Sequence, residues 1–88
     1  MKKRFVYFYT LKPEPERIQP VVAEHVSYWE SLSGRRVRGG TFDNLSGGLM
    51  CFDADSIHEA RRVVENDPFL HQGLISDHSV LEWVITSD

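Results

Sequence analysis

Residues 5–10 form an aromatic and β-branched run with no charged residue, and this run constrains the fold more than any other segment. Its composition is typical of a β-strand that is buried on both faces. The run is much shorter than the roughly 20 apolar residues that cross a bilayer. A chain of 88 residues has room for one domain, so we expect a single domain, residues 1–88, that buries this strand.

The next segments predict a helix followed by a β-hairpin. Pro13 and Pro15 mark a loop, and Pro20 and Gly34 are typical of the first turn and the end of a helix. Apolar residues recur through this span at helical spacing. Residues 36–42 and 48–52 predict two strands that are joined by a turn at 43–47. The pair Gly39-Gly40 indicates a bulge or a close backbone approach.

The last third of the chain predicts a second helix and a fourth strand. Ser56 and Glu59 have the spacing of a capping box, and Pro68 ends the helix near Asn66. Residues 69–73 are a short connector, and residues 80–86 predict the strand. The order β-α-β-β-α-β is that of a ferredoxin-like α+β fold, in which a four-stranded antiparallel sheet carries two helices on one face.

Three of the predicted strands are apolar on both faces, although helices cover only one face of such a sheet. An uncovered apolar surface of this size is unusual on a monomer. A second copy of the chain would cover it, because identical surfaces can pair around a two-fold axis. The sequence therefore predicts a homodimer through the open sheet face.

Charge and cysteine content exclude several classes of protein. Residues 1–38 carry a net charge of +4 and residues 39–88 a net charge of −7, which give the total of −3. An acidic chain with scattered basic residues is not typical of nucleic-acid binding, which depends on phosphate neutralisation. Cys51 is the single cysteine, so no internal disulfide can form. We expect a cytoplasmic protein that binds neither nucleic acid nor a membrane.

Five segments in a fixed order run through nearly the whole chain: residues 25–29, 38–42, 47–50, 52–56 and 65–69. In these segments the chain resembles the YCII-related (YciI-like) family of small dimeric α+β barrel proteins. The resemblance implies that fold, a homodimer and an active site made of a His/Asp pair. The family includes a ring dehydrochlorinase and is similar in fold to muconolactone isomerases and small dimeric monooxygenases.

His25 is the first candidate catalytic residue, for a reason independent of the resemblance. It lies in the middle of the apolar stripe of the first helix, where leucine is the usual residue. A buried imidazole needs a hydrogen-bond partner for at least one nitrogen. A neutral imidazole in an apolar cleft is a competent general base. The alternative is a core histidine that is bonded to a backbone carbonyl.

Asp67 and Asp43 are the candidate partners of His25. Asp67 lies at the end of the second helix, where Pro68 forces it to be extended, and its carboxylate would fix the tautomer of the imidazole. Capping of a backbone N–H is its alternative role. Asp43 lies at the rim of the hairpin, where turn formation with Asn44 is the alternative. The sequence leaves this pairing open.

Four further residues are candidates for substrate binding. Gly48 follows the turn, where a glycine pair can bring backbone N–H groups near a ligand, although hairpin geometry also explains it. Tyr7, Tyr28 and Trp29 are aromatic residues that either line a small pocket or pack in the core. The histidines share no ligand spacing and no phosphate or dinucleotide motif is present, so we predict neither a metal site nor a cofactor.

These features favour a cofactor-independent enzyme that performs acid–base chemistry on a small organic acid or phenolic ligand. His25 would move a proton in an elimination, isomerisation or decarboxylation-like step. Two alternatives remain open: a cofactorless monooxygenase-like enzyme, and a ligand-binding or accessory dimeric module without turnover.

Overall fold

The computed structural model of the chain describes residues 2–87. In chain order the elements are β1 (Lys3–Leu11), α1 (Pro15–Ile18), α2 (Val22–Glu30), β2 (Arg38–Thr41), β3 (Gly47–Ala54), α3 (Ile57–Glu65), α4 (Pro68–His71) and β4 (Ile75–Glu82). Two 3-10 turns, Gln19–Val21 and Ser33–Arg35, flank α2. Across residues 2–87, no helix has the length and apolar character needed to cross a membrane.

The four strands form one antiparallel sheet in the order β2-β3-β1-β4. The aromatic strand β1 is therefore central, with Tyr7 opposite Met50 of β3 and Val80 of β4. This arrangement confirms the predicted ferredoxin-like α+β fold.

The core lies between the sheet and the helices on one face. Phe5, Tyr7 and Tyr9 alternate along β1 and point to this face, where Tyr7 stacks on Trp29 of α2. α3 contributes three buried apolar side chains to the same core: Ala60, Val63 and Val64. Both long helices therefore cover a single face of the sheet, as expected for this topology.

The other face of the sheet is open and apolar at its centre. Residues that are opposite in register share a face, so Val6 and Phe8 of β1 lie beside Cys51 and Leu49 of β3, with Leu81 of β4 next to Val6. We call these five residues the open-face cluster. Phe8 and Leu81 are 39% and 53% exposed.

The prediction of two apolar faces is therefore correct for β1 and β3 and wrong for β4. On the open face β4 places Asp77 and Ser79 opposite Thr10 and Phe8. These polar side chains lie at the margin of the open face, because β4 is the edge strand of the sheet, and Asp77 is exposed to solvent.

The second long helix begins and ends where the sequence predicts. The Ser56 hydroxyl accepts a hydrogen bond from the Glu59 N–H at 3.1 Å, and the Glu59 carboxylate accepts one from the Asp55 N–H. The first contact satisfies an N–H group that the helix leaves free in its first turn, and the second ties the residue before the cap to the helix. α3 ends at Glu65, just before Asn66 and the extended Asp67 that precedes Pro68.

Two predicted boundaries are wrong for identifiable reasons. The first helix is broken rather than continuous, because Pro20 lies in a 3-10 turn between α1 and α2, and α2 ends at Glu30, before Gly34. The fourth strand is Ile75–Glu82 instead of residues 80–86. This strand pairs antiparallel with β1, and Glu82 lies opposite Phe5. Only Lys3 and Arg4 of β1 lie beyond Phe5, too few to pair with residues 83–86 as a strand.

Glycine is required at the hairpin because strands approach closely there. A Cβ at Gly47 would lie 1.8 Å from the Tyr9 carbonyl oxygen, and one at Gly39 would lie 2.4 Å from the Met50 sulfur. The sequence-based expectation of a close backbone approach at Gly39 is thus confirmed. Gly34, in contrast, has open space at its Cβ position.

We predict that Gly47→Ala lowers the free energy of unfolding by about 3 kcal/mol, because β1 and β3 must separate to admit the methyl group. Gly34→Ala is the matched control and changes it by less than about 1 kcal/mol. Urea denaturation followed by tryptophan fluorescence measures both variants. Equal stability of the two variants would contradict the close approach of Gly47 to β1.

Candidate active site

His25 lies on the face of α2 that is turned toward β1, and only 8% of it is exposed. Its Nδ1 atom is 2.7 Å from Oδ1 of Asp67, and its Nε2 atom is 3.4 Å from the Tyr9 hydroxyl. The ring stacks on Phe69 of α4 with centroids 4.1 Å apart and planes inclined by 13°. Both ring nitrogens therefore face polar partners while an aromatic ring fixes the plane of the imidazole.

Asp67 is fully buried at the start of α4. Its Oδ1 atom accepts hydrogen bonds from the Phe69 N–H at 2.9 Å and from His25, and its Oδ2 atom accepts one from the Tyr7 hydroxyl at 3.2 Å. Burying a carboxylate is costly unless donors surround it, and three donors do so here. Two roles were considered for Asp67, helix capping and contact with His25. Asp67 performs both, because its two oxygens together accept all three hydrogen bonds.

The surroundings of Asp67 decide the tautomer of His25. An ionised carboxylate only accepts hydrogen bonds, so the imidazole must carry a hydrogen on Nδ1. In the neutral ring Nε2 then holds a lone pair, and the Tyr9 hydroxyl donates to it. The arrangement leaves a basic nitrogen on the side of the ring that is turned away from Asp67.

Two tyrosine hydroxyls flank this pair, and burial keeps both of them protonated. Burial raises the pKa of Tyr7 far above its ordinary value, and the adjacent Asp67 carboxylate adds to the effect. Burial, followed by the charge of Asp67, raises the pKa of Tyr9 to about 12. At neutral pH both hydroxyls are therefore hydrogen-bond donors.

A cleft of about 1120 Å³ opens beside Tyr9 and His25, between α1, α2 and the β2–β3 hairpin. Its walls are largely apolar, and Phe69 and Met50 line it together with Trp29. A site of this kind, concave and apolar with a few convergent polar groups, is typical of small-molecule binding. The short strand β2 borders the cleft through Gly39, Gly40 and Thr41.

The four predicted substrate-binding residues do not lie together in the structure. Trp29 lines the cleft and its Nε1 atom has no hydrogen-bond partner among residues 2–87. Tyr7 is fully buried and contacts Asp67 instead of the cleft. The Tyr28 hydroxyl donates to the Val63 carbonyl of α3, outside the cleft wall. Gly48 lies against Tyr9, and a larger residue does not fit there because its Cβ would be 2.6 Å from the Tyr9 hydroxyl oxygen.

Asp43, the alternative partner, is not brought to His25. It is exposed in the turn between β2 and β3, and the Asp67 carboxylate occupies the position beside Nδ1. As for metals, no three His, Cys, Asp or Glu side chains within residues 2–87 lie close enough together to hold an ion.

Sequence reasoning missed Tyr9 and Phe69, which contact His25 directly. Tyr9 was indicated only as part of the buried strand, and Phe69 only as part of a connector. The alternation of β1 carries a usable signal, because Tyr9 is two residues from Tyr7 and shares its face. No local signal identifies Phe69, whose contact with His25 depends on the packing of α4 against α2.

The chain is similar to a known protein family. A family model described as the YCII-related domain matches residues 4–84. A comparison with curated proteins finds no match.

Solved structures with the same fold include two proteins of stated activity. 5-Chloro-2-hydroxyhydroquinone dehydrochlorinase (TftG) from Burkholderia phenoliruptrix AC1100, in complex with 2,5-dihydroxybenzoquinone, has a TM-score of 0.77 at 27% identity, over 92% of this chain and 93% of that chain. SnoaB, a cofactor-independent oxygenase from Streptomyces nogalater, has a TM-score of 0.57 at 14% identity, over 99% and 95%.

A dimeric ferredoxin-like protein from Thermobifida fusca has a TM-score of 0.59 at 11% identity, over 97% of this chain and 92% of that chain. At such low identity this protein and SnoaB are similar in fold alone. All three comparisons agree with the ferredoxin-like architecture.

We predict that Asp67→Ala lowers the free energy of unfolding by at least about 3 kcal/mol. The substitution leaves the Tyr7 hydroxyl and the His25 Nδ1–H buried without an acceptor, and α4 loses its cap. Asp43→Ala, which removes the same group from an exposed turn, changes stability by less than about 0.5 kcal/mol. Urea denaturation of both variants measures the difference, and similar losses would refute the buried network.

Proposed function

The chain belongs to the YCII-related domain family, and on that premise we propose that it is a cofactor-independent enzyme that eliminates a leaving group from a small hydroxyaromatic compound by acid–base chemistry. The observation that supports this proposal best is the state of His25. Its Nδ1 is bonded to the buried Asp67, and its Nε2, which accepts only a long hydrogen bond from the Tyr9 hydroxyl, has a lone pair that can take a proton beside the cleft. A base held in one tautomer is what such a reaction requires.

The elimination step uses no group beyond the chain itself. The substrate reacts as its keto tautomer, in which the chlorine-bearing ring carbon has gained a proton and is tetrahedral. Nε2 of His25 takes a proton from a ring hydroxyl that is joined to this carbon through one ring C=C bond, and the oxygen's electron pair forms a carbonyl. The electron pair of that C=C bond shifts to make a new C=C bond to the chlorine-bearing carbon, and chloride leaves with its bonding pair. The net products are a quinone-type carbonyl compound, chloride and the proton on His25, which passes to water. Asp67 acts as a positioning residue that stabilises the imidazolium formed in this step, as the carboxylate does in other His/Asp pairs.

The substrate class is supported by one relative and by the cleft. The dehydrochlorinase at 27% identity is described in complex with a dihydroxybenzoquinone. The cleft is mainly apolar and is also lined by His25 and Tyr9, which suits an aromatic ring with hydroxyl substituents. In this proposal Trp29 forms a wall of the substrate site.

We predict that His25→Asn abolishes chloride release from chlorinated hydroxyhydroquinones. Asp67→Asn lowers kcat by about 10²- to 10⁴-fold with little change in KM, because substrate binding does not need the imidazolium. His58→Asn is the matched control, since His58 is exposed on α3, and it retains full activity. Chloride release and quinone absorbance, measured with and without oxygen, follow the reaction.

Each alternative gives its own result in this assay. A non-catalytic binding module binds the compounds without releasing chloride. A cofactorless monooxygenase consumes oxygen and loses its activity when oxygen is removed. Equal chloride release by the wild-type and His25→Asn proteins would overturn the role of His25.

The proposed enzyme is a homodimer that pairs through the open-face cluster. This proposal is supported by the apolar centre of that face, where Val6, Phe8 and Leu49 lie side by side. A monomer would leave these side chains in contact with water, whereas a two-fold pairing buries both copies at once.

We predict that the wild-type protein sediments as a dimer and that Phe8→Glu sediments as a monomer, because a pair of buried carboxylates would face each other across the two-fold interface. Val26→Glu is the control, since Val26 is 45% exposed on the helical side of the sheet, and it stays dimeric. Sedimentation equilibrium makes the measurement, with circular dichroism to verify folding. A monomeric wild-type protein at micromolar concentration would contradict the proposal.

A further inference from the structure

We propose that Tyr9 is a further catalytic residue, whose hydroxyl donates a hydrogen bond to the oxyanion that forms when His25 takes a proton from a hydroxyaromatic substrate. This inference rests on the proposed function and adds to it the group that stabilises the negative charge. It is carried by the position of the Tyr9 hydroxyl, the room that the fold makes for it, and the hydrogen-bond pattern around His25.

The Tyr9 hydroxyl lies where the basic nitrogen meets the cleft. Tyr9 lines the cleft although only 4% of it is exposed, and its oxygen is 3.4 Å from Nε2 of His25. This distance is longer than that of a strong hydrogen bond, so the contact is easily replaced. Within the described chain Tyr9 has no second hydrogen-bond partner for its hydroxyl.

Proton transfer to His25 releases this hydroxyl. Before the transfer Nε2 has a lone pair and accepts the hydrogen of Tyr9. After the transfer Nε2 carries a hydrogen and can no longer accept one. The Tyr9 hydrogen then needs another acceptor, and the nearest new acceptor is the substrate oxygen that has just lost its proton. The donor therefore becomes available in the same step that creates the anion, as electrostatic stabilisation of a developing charge requires.

The fold holds the Tyr9 ring in place and leaves space at its hydroxyl. The ring stacks on Tyr7 with centroids 5.0 Å apart and meets Phe69 edge-on at 6.2 Å. A Cβ at position 48 would lie 2.6 Å from the hydroxyl oxygen and 3.0 Å from the ring carbon that bears it. Gly48, expected from the sequence to contact the substrate through its backbone, thus acts by admitting the hydroxyl of Tyr9.

Tyr9 is protonated at neutral pH, so its hydroxyl can act as a hydrogen-bond donor and not as the base. Burial and the charge of Asp67 hold its pKa at about 12, so the hydroxyl keeps its hydrogen at neutral pH. His25 is left as the proton acceptor, and the two residues have separate roles.

The test measures the ionisation of a bound probe and needs no turnover. 4-Nitrophenol is a hydroxyaromatic compound whose anion has its own visible absorption band. In the wild-type site it binds with its oxygen between His25 and Tyr9, and the intensity of the anion band reports how far the proton has moved to His25. Tyr9→Phe keeps the ring and removes the donor. Tyr28→Phe is the matched control, since its hydroxyl bonds to Val63 outside the cleft.

In Tyr9→Phe we expect the anion-to-phenol ratio of the bound probe to fall about tenfold or more, because a hydrogen bond to a charged oxygen is lost. Tyr28→Phe should match the wild type, and circular dichroism should show all three proteins folded. An equal ratio in the wild-type and Tyr9→Phe proteins overturns the assignment. So does a wild-type protein that binds no 4-nitrophenol at millimolar concentration.

The same experiment separates this inference from the proposed function. If Tyr9→Phe lowers the ratio as expected while no chlorinated hydroxyhydroquinone releases chloride, Tyr9 is confirmed as the anion donor of a hydroxyaromatic site and the elimination reaction alone is refuted. If chloride is released but the ratio does not change, the reaction stands and the role of Tyr9 is refuted.

Discussion

A single buried carboxylate holds the functional half of this protein together. Asp67 accepts hydrogen bonds from Tyr7 on β1, from His25 on α2 and from the Phe69 N–H on α4, so one side chain joins a strand and two helices. A buried charge is tolerated only when its donors are in place. Any arrangement that moves one of these elements removes one of the three donors of the carboxylate, and the network therefore favours a single packing of helices on the sheet.

The same network explains why the cleft can be reactive. Asp67 fixes the hydrogen of His25 on Nδ1, so the lone pair faces Tyr9 and the cleft. The rings of Phe69 and Tyr9 pack against the imidazole and hold it at the side of the cleft. The two faces of the sheet thus have different tasks: the helical side forms the cleft, and the open side carries the apolar surface that we propose for pairing.

The fold was predictable because most of its signals are local. The uninterrupted aromatic and β-branched run identified β1, the capping box identified the start of α3, and Pro68 identified its end, since each depends on residues within a few positions of one another. The fourth strand was misplaced because its bounds depend on a distant partner, β1. β4 runs from Ile75 to Glu82 because these residues pair with β1, although residues 76–79 are polar.

For the site, the sequence by itself determined that a histidine occupies an apolar helical stripe and that an extended aspartate precedes Pro68. It could not choose between Asp67 and Asp43, because residue spacing along the chain does not determine which side chains meet across the core. Only the packing of α4 against α2 and β1 brings Asp67 to His25, and only the tertiary structure adds Tyr9 on the other side of the imidazole and directs the Tyr28 hydroxyl to Val63 of α3. Local periodicity thus decides which residues are buried, whereas the tertiary structure decides which buried polar groups become partners.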